Sequence, residues 1–97
     1  MVRPSVRFEH SEASWVAERE SVGFTGETDL GLVEFLITSE ALAQLLNPDF
    51  DVLDRETALE VFDEFEAHIH RIALREFVAR LGGEPPILIT AADIELS

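Results

Sequence analysis

The chain has 97 residues, 46% of them hydrophobic and seven of them phenylalanine, so its formal net charge of -13 belongs to a folded domain with one modest core and not to an acidic disordered tail. That charge opposes phosphate backbones and anionic lipid, which argues against a nucleic-acid or membrane-surface role and makes a basic protein surface the natural complement. The absence of cysteine removes disulfides, thiolate nucleophiles and cysteine-ligated metals, and a chain whose seven basic residues are all arginine has no lysine for a phosphate loop.

The composition and length predict a single domain over residues 1–97, with the first five free to be flexible. The opening "MVRPSVRFEH" lacks the apolar stretch of a signal peptide, and no run approaches the roughly 20 apolar residues of a membrane span, so the expectation is a bacterial, cytoplasmic protein.

Taken in chain order, "VRFE" at 6–9 alternates and predicts a half-buried strand, and the polar "HSEAS" over 10–14 predicts a loop. "SVGFT" alternates again, with Val22 and Phe24 on one face. "GETDLG", 26–31, supplies turn residues before "LVEFLIT", 32–38, where Val33, Phe35 and Ile37 point inward and Glu34 and Thr38 outward. Ser39 is the expected N-cap of a short helix, "EALAQLL", which Asn47-Pro48 ends.

An acidic loop then leads to Asp54, expected to cap a long helix without glycine or proline before Gly82. Ala58, Phe62, Phe65, Ile69, Ile72, Ala73 and Phe77 fall in one broad arc, the stripe of a core-facing helix. Unbroken to Leu81 it would run about 40 Å, longer than such a domain is wide, so it must kink or project. Leu74, Val78 and Leu81 lie outside the arc and need a cover, either the last strand or a second subunit. "ILIT", 87–90, predicts a closing strand, and Thr90-Ala91-Ala92-Asp93 has the spacing of a capping box for a final helical turn.

The pair His68 and His70 is the first candidate for chemistry. On a strand they would share a face; on a helix they look in opposite directions, whereas a zinc pair on one helical face needs i, i+4 spacing. They read instead as surface residues bracketing core Ile69, each with an acid four residues before it, Glu64 and Glu66. In "DFDVLDRETALE", Asp49, Asp51 and Glu60 occupy positions of a calcium-binding loop. Leu53 and Asp54 stand where that loop needs a ligand and a glycine, so solvation and helix capping are the expected roles. No nucleophile elbow is present, and no catalytic, cofactor or metal residue is assigned. The exposed helix face runs from Glu60 and Glu64 to Arg71 and Arg75, an order that follows the helix dipole. Trp15, the one large aromatic in a polar stretch, is expected first to pack at the edge of the core and second to meet a partner, and the outlying Leu74 and Val78 are the other residues expected to meet one.

Val22 and Phe24, the helix start Ser39-Glu40-Ala41-Leu42, Ile69 and Ala73 in the long helix, and Ile89-Thr90 with Asp93 together resemble the pattern of a family of short bacterial domains of unknown function. The likeness runs from about Ser14 onward; the segment before it and the acidic 49–54 loop look peculiar to this chain. What the resemblance implies is a small α+β fold, with no activity and no site residues to carry over.

The resulting expectation is an α+β domain, ordered β-β-β-α-α-β, with a small, largely antiparallel sheet on one long helix plus a short one. Two functions suit it. The first is a non-catalytic protein-binding or regulatory module, a monomer or homodimer with no cofactor. The second is a small enzyme with an acid/base group from Asp49, Asp51 or a histidine.

Overall fold

Among the described residues, four strands form one sheet in the spatial order β1-β2-β3-β4: β1 (Ser14–Val16), β2 (Ser21–Thr28), β3 (Gly31–Thr38) and β4 (Ile87–Ile89). The computed structural model describes residue 8 and residues 13–28, 31–47, 49, 53–80 and 86–95. The strand expected over 6–9, Phe8 excepted, and the lead-in over 1–5 lie outside these.

Ser14, expected to end a loop, and Trp15 belong to the short edge strand β1, which a 3-10 turn over Ala17–Arg19 joins to β2. Three residues are too few for alternation to register in the sequence. β2 and β3 pair along their whole length, from Ser21 opposite Thr38 to Thr28 opposite Gly31. The expected six-residue turn is therefore shorter, and its last residue, Gly31, takes the φ of +117° that favours glycine.

The fold is α+β and the sheet largely antiparallel, as expected, but its last pair is not: β4 lies parallel to β3, with Phe35 beside Ile87 and Ile37 beside Ile89. Helices between these two strands carry the chain back to the same end of the sheet, as a parallel pair requires.

Those helices are α1 (Ser39–Leu46), α2 (Arg55–Glu64) and α3 (Glu66–Ala79), and α4 (Ala91–Glu95) follows β4. The N-cap of α1 is Thr38 and not Ser39: the Thr38 hydroxyl accepts from the Ala41 N–H at 3.1 Å, while Ser39 is already helical and buried. Asp54 caps α2 as expected, accepting from the Thr57 N–H at 2.8 Å. At the end of the chain, Thr90 N–H donates to the Asp93 carboxylate at 2.9 Å, the reciprocal half of a capping box.

The single long helix is broken at Phe65, whose φ of -104° and ψ of 19° leave the helical region. Two helices with separate packing partners replace one: α2 covers β1 and β2, and α3 covers β4. Each buries its own face, so Val61, outside the expected arc, joins Ala58 and Phe62 in the core. Phe65, expected to be inaccessible, is half-buried at the bend.

Among the described residues, the helices pack on one face of the sheet. Val22, Phe24, Phe35, Ile37, Ile87 and Ile89 point into it and are buried, with Leu42, Ile69, Ile72 and Ala73 opposite them. Among the described residues, no helix is long and apolar enough to cross a membrane.

Candidate functional site

His68 and His70 leave α3 toward different neighbours. The His68 Nδ1 lies 3.4 Å from the Arg71 guanidinium in an exposed contact. His70 stacks flat on Phe8, with centroids 4.1 Å apart and planes 10° apart, and it sits 6.1 Å from the Phe24 ring. It is therefore not the plain surface residue expected from the sequence. It closes an aromatic cluster in which Phe24 stacks on Phe35 at 5.3 Å and meets Phe62 at 5.1 Å. Burial pushes the His70 imidazole below its ordinary value, opposed in part by the Glu66 carboxylate. Among the described residues, no three His, Asp or Glu side chains are grouped to hold a metal ion.

The acidic loop works locally where it is described. The Thr57 backbone and hydroxyl hold the Asp54 carboxyl below its ordinary value, and the Asp49 N–H donates to the Asn47 side chain at 3.0 Å. Asp51 lies outside the described residues, as do His10 and Leu81.

The three residues expected to meet a partner do not share an element. Trp15 points from β1 to the helical side, in line with Val22 and Ile37, and is half-buried against the core. Leu74 is half-buried on α3, and Val78, one turn on, is 42% exposed. The sheet edge under α2 holds the first, and the helix over the opposite edge holds the other two.

Sequence reasoning missed two features. The first is a polar cluster where α3 meets β4 and α4. Glu76 lies among the apolar residues of α3 with its side chain only 12% exposed, and its carboxylate pairs with Arg80 at 3.1 Å and Arg75 at 3.5 Å. Arg80 also donates to the Leu88 carbonyl at 3.1 Å and lies 3.8 Å from Asp93, while Arg75 donates to the Asp93 carbonyl at 2.8 Å. Burial raises the Asp93 carboxyl. The Thr90 N–H, hydrogen bonds shared with Glu76 and the Thr90 hydroxyl, and the Arg80 charge together outweigh it, leaving Asp93 below its ordinary value. Chemically this is a clamp, since each carboxylate is compensated. The i, i+4 spacing of Glu76 and Arg80 was its only sequence signal.

The second is the outer face of the sheet. Register puts Ser14, Gly23, Leu36 and Leu88 in one row across all four strands on that side. Val16, Thr25, Leu36 and Leu88 are half-buried there, and Leu32 is 74% exposed. Ser14, Val16, Gly23, Thr25, Glu34 and Leu36 border an open hollow of about 190 Å³.

A family model described as a protein of unknown function, DUF1488, matches residues 6–83. The chain belongs to the DUF1488 family. A crystal structure of a DUF1488 protein of unknown function from Shewanella loihica PV-4 is similar at 18% identity, with a TM-score of 0.69. The likeness covers 93% of this chain and 94% of that one. None of the curated proteins matches. The resemblance read from the residues is to such a family, and the DUF1488 match reaches further than expected, starting at residue 6, ahead of Ser14, and spanning the 49–54 loop. The match ends before β4, whereas the structural likeness takes in nearly the whole domain.

Proposed function

We propose that this DUF1488 chain is a non-catalytic protein-binding module that meets its partner through the outer face of the sheet. The observation that supports this reading is the one-sided packing: the helices cover the inner face, while Val16, Leu36, Leu88 and Leu32 keep apolar surface on the outer one. Large apolar side chains dominate interface energies, and the net charge of -13 speeds the approach of a basic surface. An enzymatic reading would be supported by a carboxylate left uncompensated and pushed up by burial. Glu76 instead pairs with two arginines, and Asp93 is held below its ordinary value.

The test is capture of a partner on the immobilised chain, followed by a hydrogen-exchange footprint of the purified complex. Protection centred on β2 and β3, with binding lost on Leu36→Glu, is the expected result. A footprint confined to α2, or binding indifferent to Leu36→Glu, would sink the proposal.

A further inference from the structure

We propose that the hollow beside Gly23 receives a basic side chain of the partner, its aliphatic stem against Val16 and Leu36 and its cationic head at Glu34. This rests on the outer-face reading above and adds the chemistry of what that face accepts.

Gly23 is the first observation. It lies within β2 and takes no backbone conformation reserved for glycine, yet a glycine in a strand interior weakens the strand. Its missing side chain is what the site uses. A Cβ built there would lie 3.3 Å from Val16 Cγ2 and 3.4 Å from Leu36 Cδ2, so those side chains lean over bare backbone and any larger residue would crowd them.

Size is the second. The hollow, at about 190 Å³, is below the roughly 300–1,000 Å³ of small-molecule pockets and suits one inserted side chain.

Charge is the third. Glu34 is the one ionisable residue bordering the hollow, and among the described residues it joins none of the ion pairs, which all lie in the Glu76 cluster. A wholly apolar occupant would strip water from that carboxylate without replacing it, and an acidic one would be repelled. Lysine and arginine, by contrast, bury their methylene stems on apolar walls while the charged head stays at the rim. The net charge of the domain favours the same sign.

The experiment uses the isotope-labelled full chain, followed by NMR at neutral pH and low salt. It is titrated separately with N-acetyl-arginine amide, N-acetyl-lysine amide and uncharged N-acetyl-norleucine amide. Saturable shifts of the Gly23, Thr25, Glu34 and Leu36 amides are expected with the basic probes only. Glu34→Gln should weaken them roughly fivefold, or about 1 kcal/mol. Gly23→Val, if its spectrum remains folded, should abolish them by occupying the hollow. Equal shifts with the norleucine probe, or shifts spread over the acidic surface and unchanged by Glu34→Gln, would overturn the proposal. With a captured partner the two readings separate. Binding lost on Leu36→Glu but unchanged by Glu34→Gln keeps the docking face and rejects the basic side chain. Binding unchanged by Leu36→Glu rejects the docking face itself.

Discussion

The Glu76–Arg80 contact should be energetically real, and its size follows from its burial. A hydrogen bond to a charged partner contributes about 1.5–3 kcal/mol, and an exposed ion pair about 0–1 kcal/mol. The contact lies between these limits, because the Glu76 side chain is 12% exposed and that of Arg80 is 42% exposed. Removing Glu76 does not orphan Arg80, which keeps the Leu88 carbonyl and Asp93. Glu76→Ala should therefore destabilise by about 1–2 kcal/mol, a drop of roughly 4–16 °C in Tm for a domain of this size. The assay is urea unfolding of the wild type, Glu76→Ala, Arg80→Ala and the double variant, followed by Trp15 fluorescence at the opposite edge of the sheet. A coupling energy of about 1 kcal/mol is expected, and it should largely survive 500 mM salt because one partner is shielded. A coupling below about 0.3 kcal/mol, or one erased by salt, would mean that the cluster behaves as surface charge and does not clamp β4 and α4.

The His70 imidazole should titrate with a midpoint below 6.5 by NMR. Since its folded value is the depressed one, its contribution is complete above 6.5 and is lost as pH falls through the folded value. His70→Phe should remove that component of the acid sensitivity. Ile69→Ala should cost about 2–5 kcal/mol in urea unfolding, and Phe65→Ala distinctly less than Ile69→Ala, because Ile69 is buried and Phe65 is not. Equal losses at the two sites would contradict the break at Phe65. Thr38→Ala should cost about 1 kcal/mol by removing the α1 cap, and an unchanged midpoint would reassign that cap.

Where the sequence could be read, local physics sufficed. Val22, Phe24, Phe35 and Ile37 alternate over enough residues to fix both strands and their buried face, and Asp54 and Asp93 declare their helix starts by type and spacing. Thr38 and Ser39 are both good caps and adjacent, so only the hydrogen bond to Ala41 decides between them. The length of the helical run required a kink or a projecting end, but nothing marked Phe65 as the place, since neither proline nor glycine stands there. The break follows from two helices packing on different strands, which is a tertiary fact. The same holds for His70, whose exposure depends on Phe8 arriving from the far end of the chain. Gly23 stands inside the alternating "SVGFT", and nothing in the sequence singles it out. Its hollow exists only because register sets Ser14 and Leu36 on either side of it, and β1 was not foreseen.

Salt provides the sharpest discrimination between a foreign partner and a second copy of this chain on the outer face. In a twofold dimer the same patch is used by both copies, so both Glu34 carboxylates would enter one interface, and two domains of -13 charge would be brought together. Both repulsions are relieved by screening, since the Debye length falls from about 10 Å at 0.1 M to 3 Å at 1 M. Self-association should therefore strengthen with salt, whereas steered association with a basic partner should slow. Under the proposed reading, the chain sediments as a monomer at micromolar concentration and 50 mM salt. The rate of partner association then falls markedly between 50 and 500 mM, with a smaller change in dissociation. A dimer already formed at low salt would show that apolar contact on this face outweighs the charge. The outer sheet would then be an interface between copies, closed to any other protein.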